Sequence, residues 1–292
     1  MDVRIITTYA CNYDCWFCHH EGWNSNERKS VKNPFIQLDY VKNLLPILKK
    51  CGCDSITLSG GEPCLHPEIN QLIKMVAEAH VKLTMVTNGS LLDRITDYSL
   101  LDILNVSIHS WDNEAYQKNS KGRLQLNDVI ARTLSLQNEC PSLDLRVNTV
   151  IDPYLISHFK QLETVFLKYK TIKLIEQFPL VSDSLSIEAM EKQLEEYGWK
   201  FDHSDLSRRK KYYIKNNTKM FLTRVFCASQ FPAATKKDHC ISNNEISISP
   251  DKSAKKCRFS DSLEIPDLSK TENVERFFEG LIKLEGVKCP YE

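Results

Sequence analysis

The chain has 292 residues, with 38 basic and 38 acidic side chains and 11 cysteines. This length suits one large α/β domain with a small appendix, and the balanced charge gives no electrostatic case for a nucleic-acid or membrane-surface partner. The polar start Met1-Asp2-Val3-Arg4 is not a signal peptide, and no apolar run reaches the roughly 20 residues that cross a bilayer. The cysteines therefore predict metal-binding thiolates in a reducing cytoplasm rather than a disulfide framework.

Six short apolar runs predict strands, and amphipathic segments predict helices between them. The predicted strands are residues 3–8, 55–58, 81–86, 103–108, 143–150 and 171–177. The predicted helices are residues 37–51, 66–79, 127–137 and 155–169. Repeated strand–helix units imply a parallel sheet with helices packed outside it, and six units fit a partial (β/α)6 barrel.

Polar motifs follow the first four predicted strands. They are, in chain order, Cys11-Asn12-Tyr13-Asp14-Cys15-Trp16-Phe17-Cys18, Ser59-Gly60-Gly61-Glu62-Pro63, Thr87-Asn88-Gly89 and His109-Ser110-Trp111. In barrels of this kind ligands bind at the carboxyl ends of the strands. We therefore expect these motifs to meet at one edge of the sheet and to form the functional site.

The three cysteines of the first motif are the strongest indication of chemistry. Three thiolates hold a cube of four irons and four sulfides with one iron open to an outside ligand, whereas structural metal sites close their coordination. A zinc site is the alternative for an isolated CxxxCxxC motif. The Gly-Gly-Glu-Pro turn weighs against it, because a plain metal site has no need of such a turn.

Together the CxxxCxxC loop, Phe17 before its third cysteine and the Gly-Gly-Glu-Pro turn resemble the radical S-adenosylmethionine (radical SAM) superfamily. The resemblance implies a TIM-like partial barrel and a 4Fe–4S cluster on Cys11, Cys15 and Cys18. In that superfamily the open iron binds S-adenosylmethionine, and an electron from a donor such as flavodoxin or ferredoxin cleaves it. The resulting 5′-deoxyadenosyl radical abstracts hydrogen from the substrate.

The resemblance also implies contacts to S-adenosylmethionine, although each contact residue has a plainer structural interpretation. Phe17 either lies near the adenine or shields the cluster, and the other implied contacts are Gly60, Gly61, Glu62, Pro63, Thr87, Asn88, Ser107 and Asn148. The polar residues among them are otherwise ordinary strand-end side chains, and Gly60–Pro63 an ordinary strand–helix turn. His109 is more typical of a structural histidine, and no catalytic residue is assigned.

Beyond the barrel, predicted as residues 1–180, the pattern changes. Residues 181–224 predict a helical connector with a helix at 187–197, and residues 225–292 predict a cysteine-bearing region with a hairpin at 246–258 and a helix at 273–284. This region resembles the carboxy-terminal segment of the GTP cyclase of molybdenum-cofactor biosynthesis and the twitch and SPASM extensions. The resemblance implies an auxiliary 4Fe–4S cluster on Cys227, Cys240 and Cys257, with Cys289 open as a fourth ligand. A zinc site or unligated thiols are the alternatives, because the cyclase spaces its first two thiols more closely.

Two basic features bear on the substrate. Arg4 lies at the offset from the first cluster cysteine where the cyclase has an arginine that helps to hold GTP. The strand before the Gly-Gly-Glu-Pro turn has no cation, however, and the carboxyl end lacks the catalytic glycine pair of the cyclase, which argues against GTP cyclase activity. The basic stretch 208–219 is either a solvated helix face or a surface that meets a phosphorylated or acidic substrate.

These features predict a radical SAM enzyme that acts on a small molecule of a biosynthetic pathway, such as a nucleoside, nucleotide or sugar. One alternative is a peptide-modifying radical SAM maturase, which the absence of an amino-terminal leader-binding domain disfavours. The other is a non-catalytic iron–sulfur or zinc protein that uses the barrel as a scaffold. The type of reaction that follows hydrogen abstraction stays open.

Overall fold

A computed structural model describes residues 1–18, 33–120, 124–177, 187–205, 210–224, 245–256 and 260–285. The four cysteines of the predicted auxiliary cluster region lie outside these ranges, namely Cys227, Cys240, Cys257 and Cys289. The auxiliary cluster therefore stays a prediction from the sequence.

One sheet runs through the described residues. Its strands are β1 (Asp2–Thr8), β2 (Ser55–Gly60), β3 (Lys82–Thr87), β4 (Ile103–Ser107), β5 (Asp144–Ile151), β6 (Thr171–Glu176), β7 (Lys200–Asp205), β8 (Lys210–Lys215), β9 (Thr218–Thr223), β10 (Glu245–Ile248), β11 (Ser253–Lys255) and β12 (Leu263–Glu264). They lie in the order β12-β11-β10-β1-β2-β3-β4-β5-β6-β9-β8-β7. From β10 to β9 all neighbours are parallel, and antiparallel strands extend both ends.

The described helices are α1 (Leu38–Lys50), α2 (Ile69–Glu78), α3 (Asn113–Ser120), α4 (Leu126–Glu139), α5 (Pro153–Ser157), α6 (Phe159–Phe166), α7 (Ile187–Glu196) and α8 (Thr271–Ile282). Helix α1 shows why they form, because Val41, Leu44 and Leu48 recur at helical spacing and are buried. No helix in the described ranges is long and apolar enough to span a membrane.

The two faces of the sheet differ in chemistry. On β1, Val3 and Ile5 belong to the main apolar core that the helices share. The intervening Arg4 and Ile6 are not part of that core, because alternate residues of a strand point to opposite faces. We call this second face, which carries Arg4 on β1, the inner face.

The sheet is rolled rather than flat. If it were flat, β1 and β6 would lie roughly 24 Å apart, because five gaps of about 4.8 Å separate them. Yet the positive charge of Arg4 on β1 contributes to lowering the pKa of Lys173 on β6, after burial as the main cause. The inner faces of the two strands therefore approach each other, and the fold is the α/β partial barrel that the sequence predicts.

All six predicted strands are present, but two helical predictions are wrong in part. The predicted helix 155–169 is two helices, α5 and α6, which break at His158 with φ near −118°. The predicted helical connector 181–224 contains α7, but its described residues after α7 include the strands β7, β8 and β9. The basic stretch is therefore not a helix face where it is described. The division into three domains stays a prediction.

Candidate functional site

The three thiols lie on the loop that leaves β1. Cys11 and Cys15 are partly buried, while Cys18 is exposed. Local hydrogen bonds shape the loop, because the Cys18 amide donates to the Cys15 carbonyl at 3.0 Å and the Tyr13 amide donates to Cys11 Sγ at 3.4 Å. The loop therefore turns back on itself and brings its cysteines to one side of the molecule.

The thiols are close enough to act on one another. Burial raises the pKa of Cys15 to about 12, and the charges of Cys18 and Cys11 raise it further. Within the described residues, no three His, Cys, Asp or Glu side chains form a group that could hold one metal ion. Three thiolates are one short of the four ligands of a structural zinc site, whereas they suffice for a cluster with one open iron.

Helix α3 anchors this loop from outside. The Asp14 amide donates to the Ser120 carbonyl at 2.9 Å, and the buried Tyr13 and Tyr116 hydroxyls lie 3.0 Å apart. This helix was not among those predicted from the sequence, because its composition is polar. Only the spacing between Tyr116 and Ser120 on one helix face hints at the contact.

The two glycines of the Gly-Gly-Glu-Pro turn touch the backbone of the thiol loop. A Cβ at Gly60 would lie 2.4 Å from the Thr8 carbonyl oxygen, and one at Gly61 would lie 2.0 Å from the Ala10 carbonyl oxygen. The Gly61 amide donates to Thr8 and the Glu62 amide to Ala10, both at 2.8 Å. The close backbone approach that glycine permits is therefore made to the loop that carries Cys11.

Glu62 is fully buried and already has three donors. Its Oε1 accepts from the Cys64 amide at 3.0 Å and from Thr87 Oγ1 at 2.7 Å, and its Oε2 accepts from the Asn88 amide at 2.7 Å. Burial raises the pKa of this carboxyl group, and these bonds oppose the rise. Glu62 thus ties the end of β2 to the end of β3, while Pro63 opens a short 3-10 turn between them.

Replacement of this carboxylate tests its structural role. Glu62→Gln is expected to destabilise the protein by about 1–3 kcal/mol, because an amide nitrogen cannot accept one of these buried bonds. Anaerobic urea unfolding measures the change, with the exposed Glu68→Gln as the matched control. If both variants unfold at the same urea concentration, the buried carboxylate does not hold the turn.

Thr87 and Asn88 connect the third strand to the thiol loop. Thr87 is buried and accepts from the Gly89 amide at 3.0 Å. Asn88 Nδ2 donates a hydrogen bond to Asn12 Oδ1 at 2.9 Å. The carboxyl ends of β1, β2 and β3 are therefore joined by side-chain and backbone bonds into one rigid edge.

Ser107 and Asn148 lie side by side on the inner face, where they are paired in the register of β4 and β5. Asn148 is only 5% exposed, and its Oδ1 has no hydrogen-bond partner in the described part of the chain. A buried amide oxygen without a partner is uncommon and calls for a ligand or a water. Asn148 therefore provides an unfilled polar position near the carboxyl edge.

Phe17 packs on His109, with ring centroids 4.2 Å apart. The Val150 amide donates to His109 Nδ1 at 3.1 Å, and burial lowers the pKa of this histidine to about 3. The imidazole is therefore neutral near pH 7, with its proton on Nε2. The pairing of these two rings could not be inferred from sequence, because it joins the thiol loop to a distant strand end.

The predicted residues thus converge, with one exception. The thiol loop and the Gly-Gly-Glu-Pro turn meet directly, Thr87 and Asn88 bond to them, Phe17 reaches the end of β4, and Ser107 and Asn148 lie on adjacent strands at the same edge. Arg4 is different, because it lies inside β1 and pairs with Glu245 at 2.8 Å. It belongs to the interior of the barrel rather than to its carboxyl edge.

Comparison with known proteins agrees with this geometry. Residues 5–144 match the family model described as the Radical SAM superfamily. A "Probable GTP 3′,8-cyclase" of Thermococcus kodakarensis is 34% identical over 120 residues, or 40% of this chain and 38% of that protein. A protein of the same name from Sulfurisphaera tokodaii is 27% identical over 289 residues, or 90% of this chain and 83% of that protein.

A solved structure shows the same fold. The crystal structure of Streptococcus suis SuiB bound to precursor peptide SuiA superposes with a TM-score of 0.67 and 13% identity, over 98% of this chain and 65% of that chain. This chain therefore spans less than two thirds of the SuiB chain. At this identity the likeness concerns the architecture of the barrel alone.

Proposed function

Residues 5–144 match the model of the radical SAM superfamily, and on this premise we propose that the chain is a radical SAM enzyme that cleaves S-adenosylmethionine at a 4Fe–4S cluster and abstracts hydrogen from a small-molecule substrate. The observation that carries the proposal is the direct backbone contact between the Gly-Gly-Glu-Pro turn and the segment that leads to Cys11. The Gly61 amide donates to the Thr8 carbonyl and the Glu62 amide to the Ala10 carbonyl, and we call this pair of bonds the clamp. This clamp fixes the cysteines relative to the strand ends where a cofactor is expected to lie.

The residues present fit an iron–sulfur cluster. Cys11, Cys15 and Cys18 are the proposed ligands, and their mutual repulsion as thiolates is relieved by a bound cationic metal group. When bound, the cluster and S-adenosylmethionine together supply one-electron cleavage of the sulfonium and a 5′-deoxyadenosyl radical. The loop contributes position, and its packing under α3 limits the access of water.

The polar residues at the carboxyl edge of the inner face fit S-adenosylmethionine. Asn148 Oδ1 is buried without a partner in the described residues and Ser107 is its neighbour, so this pair is proposed to bind polar groups of the cofactor. Phe17 and Asn88 are proposed to lie along its other side. Because Glu62 accepts three bonds from its own chain, its proposed role includes holding Gly60, Gly61 and Pro63 in place for the methionine end.

The substrate is proposed to be a nucleoside, nucleotide or sugar-like molecule. Two relatives are named as probable GTP 3′,8-cyclases, and one of them aligns over most of this chain. The short strand β2 leads into the turn without a cation, as the residues Ser55–Gly60 show. GTP therefore stays one candidate among phosphorylated small molecules rather than the assigned substrate.

Anaerobic turnover tests the proposal. The reconstituted full chain is mixed with dithionite and S-adenosylmethionine, and 5′-deoxyadenosine and methionine are quantified by chromatography. We expect both products in equal amounts. If fully loaded protein forms neither product above the level of a protein-free mixture, the proposed activity is wrong and the barrel serves as a binding scaffold.

A second cluster, a flavodoxin- or ferredoxin-type electron donor and a cytoplasmic location remain parts of the proposal. The second cluster is proposed to bind Cys227, Cys240 and Cys257, and the sequence alone supports it. Two cubes give about eight irons per chain and one cube gives about four. We expect the double substitution Cys240→Ala/Cys257→Ala to lower the iron content from the first value to the second.

Iron analysis after anaerobic reconstitution measures this change. The control is Cys51→Ala, since Cys51 follows α1 and lies apart from the thiol loop. It should keep the iron content of the parent chain. An unchanged iron content in the double variant, or a parent chain with only about four irons, contradicts the auxiliary cluster.

A further inference from the structure

A small cleft lies between the segments that follow β4 and β5. Its aromatic walls are Trp111 after β4, Tyr154 on α5 and His158 at the break between α5 and α6, and its volume is about 220 Å³. Sites for drug-sized ligands and cofactors usually enclose about 300–1,000 Å³. This cleft, which we call the aromatic cleft, therefore suits a single side chain or a similarly small group.

The three rings form a row with two unequal spacings. The Tyr154 and His158 ring centroids are 4.5 Å apart with 25° between the ring planes. The Trp111 and His158 centroids are 6.5 Å apart with 22° between the planes. Carbon atoms in contact lie about 3.5–4.0 Å apart, so a flat group between two parallel rings needs roughly 7 Å. The first spacing is ordinary stacking, and the second is almost wide enough to admit a flat group.

One wall of the wider spacing is fixed and the other is exposed. His158 Nδ1 lies 3.0 Å from the Tyr154 carbonyl oxygen and 2.9 Å from Ser157 Oγ. Because a carbonyl only accepts, Nδ1 carries the hydrogen of that bond, and the imidazole is held in place. Trp111 is 39% exposed. An outward shift of its ring by about 0.5 Å gives the spacing that a flat group needs.

The charge beside the rings is negative. Asp112 and Glu114 line the cleft against one cation, Lys118. Asp112 Oδ1 accepts from the Ala115 amide at 2.8 Å, which fixes this carboxylate at the first turn of α3. Burial raises the pKa of the Tyr154 hydroxyl to about 12, and the charge of Asp112 raises it further. A carboxylate is thus held close to the end of the ring row.

From this arrangement we propose that the aromatic cleft binds the guanidinium group of an arginine side chain from a partner polypeptide. The group lies between Trp111 and His158, with Asp112 as its counter-charge. A guanidinium is both flat and cationic, and it stacks on aromatic faces. A neutral flat ring leaves the carboxylates unused, and an ammonium group is compact and more strongly hydrated.

A polypeptide is the chosen source because of the size and exposure of the cleft. Its volume holds one side chain, and tryptophan, tyrosine and arginine are the residues most enriched at the energetic centres of protein interfaces. The site lies beyond the proposed function, because neither the cluster nor S-adenosylmethionine is assigned to Trp111, Tyr154 or His158.

Helix α3 relates the cleft to the thiol loop. Asp112 caps the first turn of the helix, and the carbonyl of its last residue, Ser120, accepts from the Asp14 amide at 2.9 Å. The eight residues Asn113–Ser120 span about 12 Å at the rise of an α-helix. A polypeptide anchored in the cleft therefore binds beside the helix that holds the cluster loop.

Calorimetry with small probes tests the chemistry of the site. The anaerobically reconstituted full chain is titrated with methylguanidinium, its neutral flat counterpart methylurea, and methylammonium, each at millimolar concentration. We expect methylguanidinium to bind about tenfold more tightly than the other two. The peptide acetyl-Gly-Arg-Gly-amide should bind about threefold more tightly still, because it adds contacts around the anchor, and its neutral citrulline counterpart should not bind.

Matched variants locate the binding. Trp111→Ala should weaken methylguanidinium binding about tenfold, and Trp111→Phe should retain it because a ring is kept. Asp112→Asn should weaken binding about threefold through the lost charge, whereas the helix cap survives because asparagine caps as well as aspartate. The control is Phe201→Ala, an exposed aromatic residue on β7 outside the cleft, which should bind like the parent.

The outcomes are distinct from those of the cleavage assay. Methylguanidinium binding no tighter than that of methylurea, or equal in the parent and Trp111→Ala, overturns the guanidinium site. An arginine peptide that binds no more tightly than methylguanidinium overturns the choice of a polypeptide. The titrations contain neither S-adenosylmethionine nor substrate, so a parent chain that forms no 5′-deoxyadenosine refutes only the proposed function.

Discussion

Cys15→Ala is expected to reduce the formation of 5′-deoxyadenosine to the level of a protein-free mixture. Cys15 is the middle ligand of the proposed cluster and is partly buried, and its Sγ lies 4.0 Å from the Ser120 carbonyl oxygen. Two remaining thiols cannot hold a cube whose open iron needs the other three fixed. The effect on activity should therefore be complete rather than partial.

The measurement pairs iron content with product formation. The control is Cys140→Ala, since this thiol ends α4 and is likewise partly buried. It should keep both iron and activity. Product formation by Cys15→Ala at a tenth or more of the parent rate would show that this cysteine is not a cluster ligand.

Gly61→Ala is the second substitution with a large expected effect. The new Cβ would lie 2.0 Å from the Ala10 carbonyl oxygen and 3.0 Å from the Cys11 amide nitrogen, both of which are backbone atoms. Overpacking typically costs about 1–3 kcal/mol, and here no side chain can move aside. Each lost backbone hydrogen bond adds about 1 kcal/mol, so we expect a destabilisation of at least about 3 kcal/mol.

The loop must shift if the protein still folds, so the iron of the first cluster should be lost as well. Gly198→Ala is an informative control, because that glycine has φ near +79° but no atom lies within 4 Å of the place that an alanine Cβ would take there. It should lower stability by about 1–2 kcal/mol without loss of iron. Anaerobic urea unfolding and iron analysis decide the matter. A Gly61→Ala variant with parental stability and iron content would refute the clamp.

The sequence predicted the barrel well because its strands are short apolar runs with clear boundaries. The position of the site followed from topology, since the ends of parallel strands meet wherever the helices lie. From this topology, the motif at Cys11–Cys18 and the turn at Gly60–Pro63 could be assigned to one site before the structure was known. The contact between them explains why both glycines are required, which spacing alone does not show.

Other features depend on tertiary contacts that a sequence does not show. Lys200–Asp205 and Lys210–Lys215 are rich in charged residues, and they form strands because β9 provides an edge next to β6. The internal hydrogen bonds of Glu62 could not be predicted for a similar reason. Its donors come from Thr87 and Asn88, more than 20 residues away, so a contact with a ligand and an internal bond looked alike in the sequence.

The parallel pairing of β1 with β10 has a consequence for biosynthesis. The strand that precedes the thiol loop has Ser55–Gly60 on one side and Glu245–Ile248 on the other. During translation the amino-terminal strand therefore leaves the ribosome long before its second neighbour is made, and long-range pairings of this kind form late. The edge of β1 that pairs with β10 therefore stays unpaired until synthesis is nearly finished. We expect iron delivery to the cysteine loop that follows β1 to occur after release of the chain.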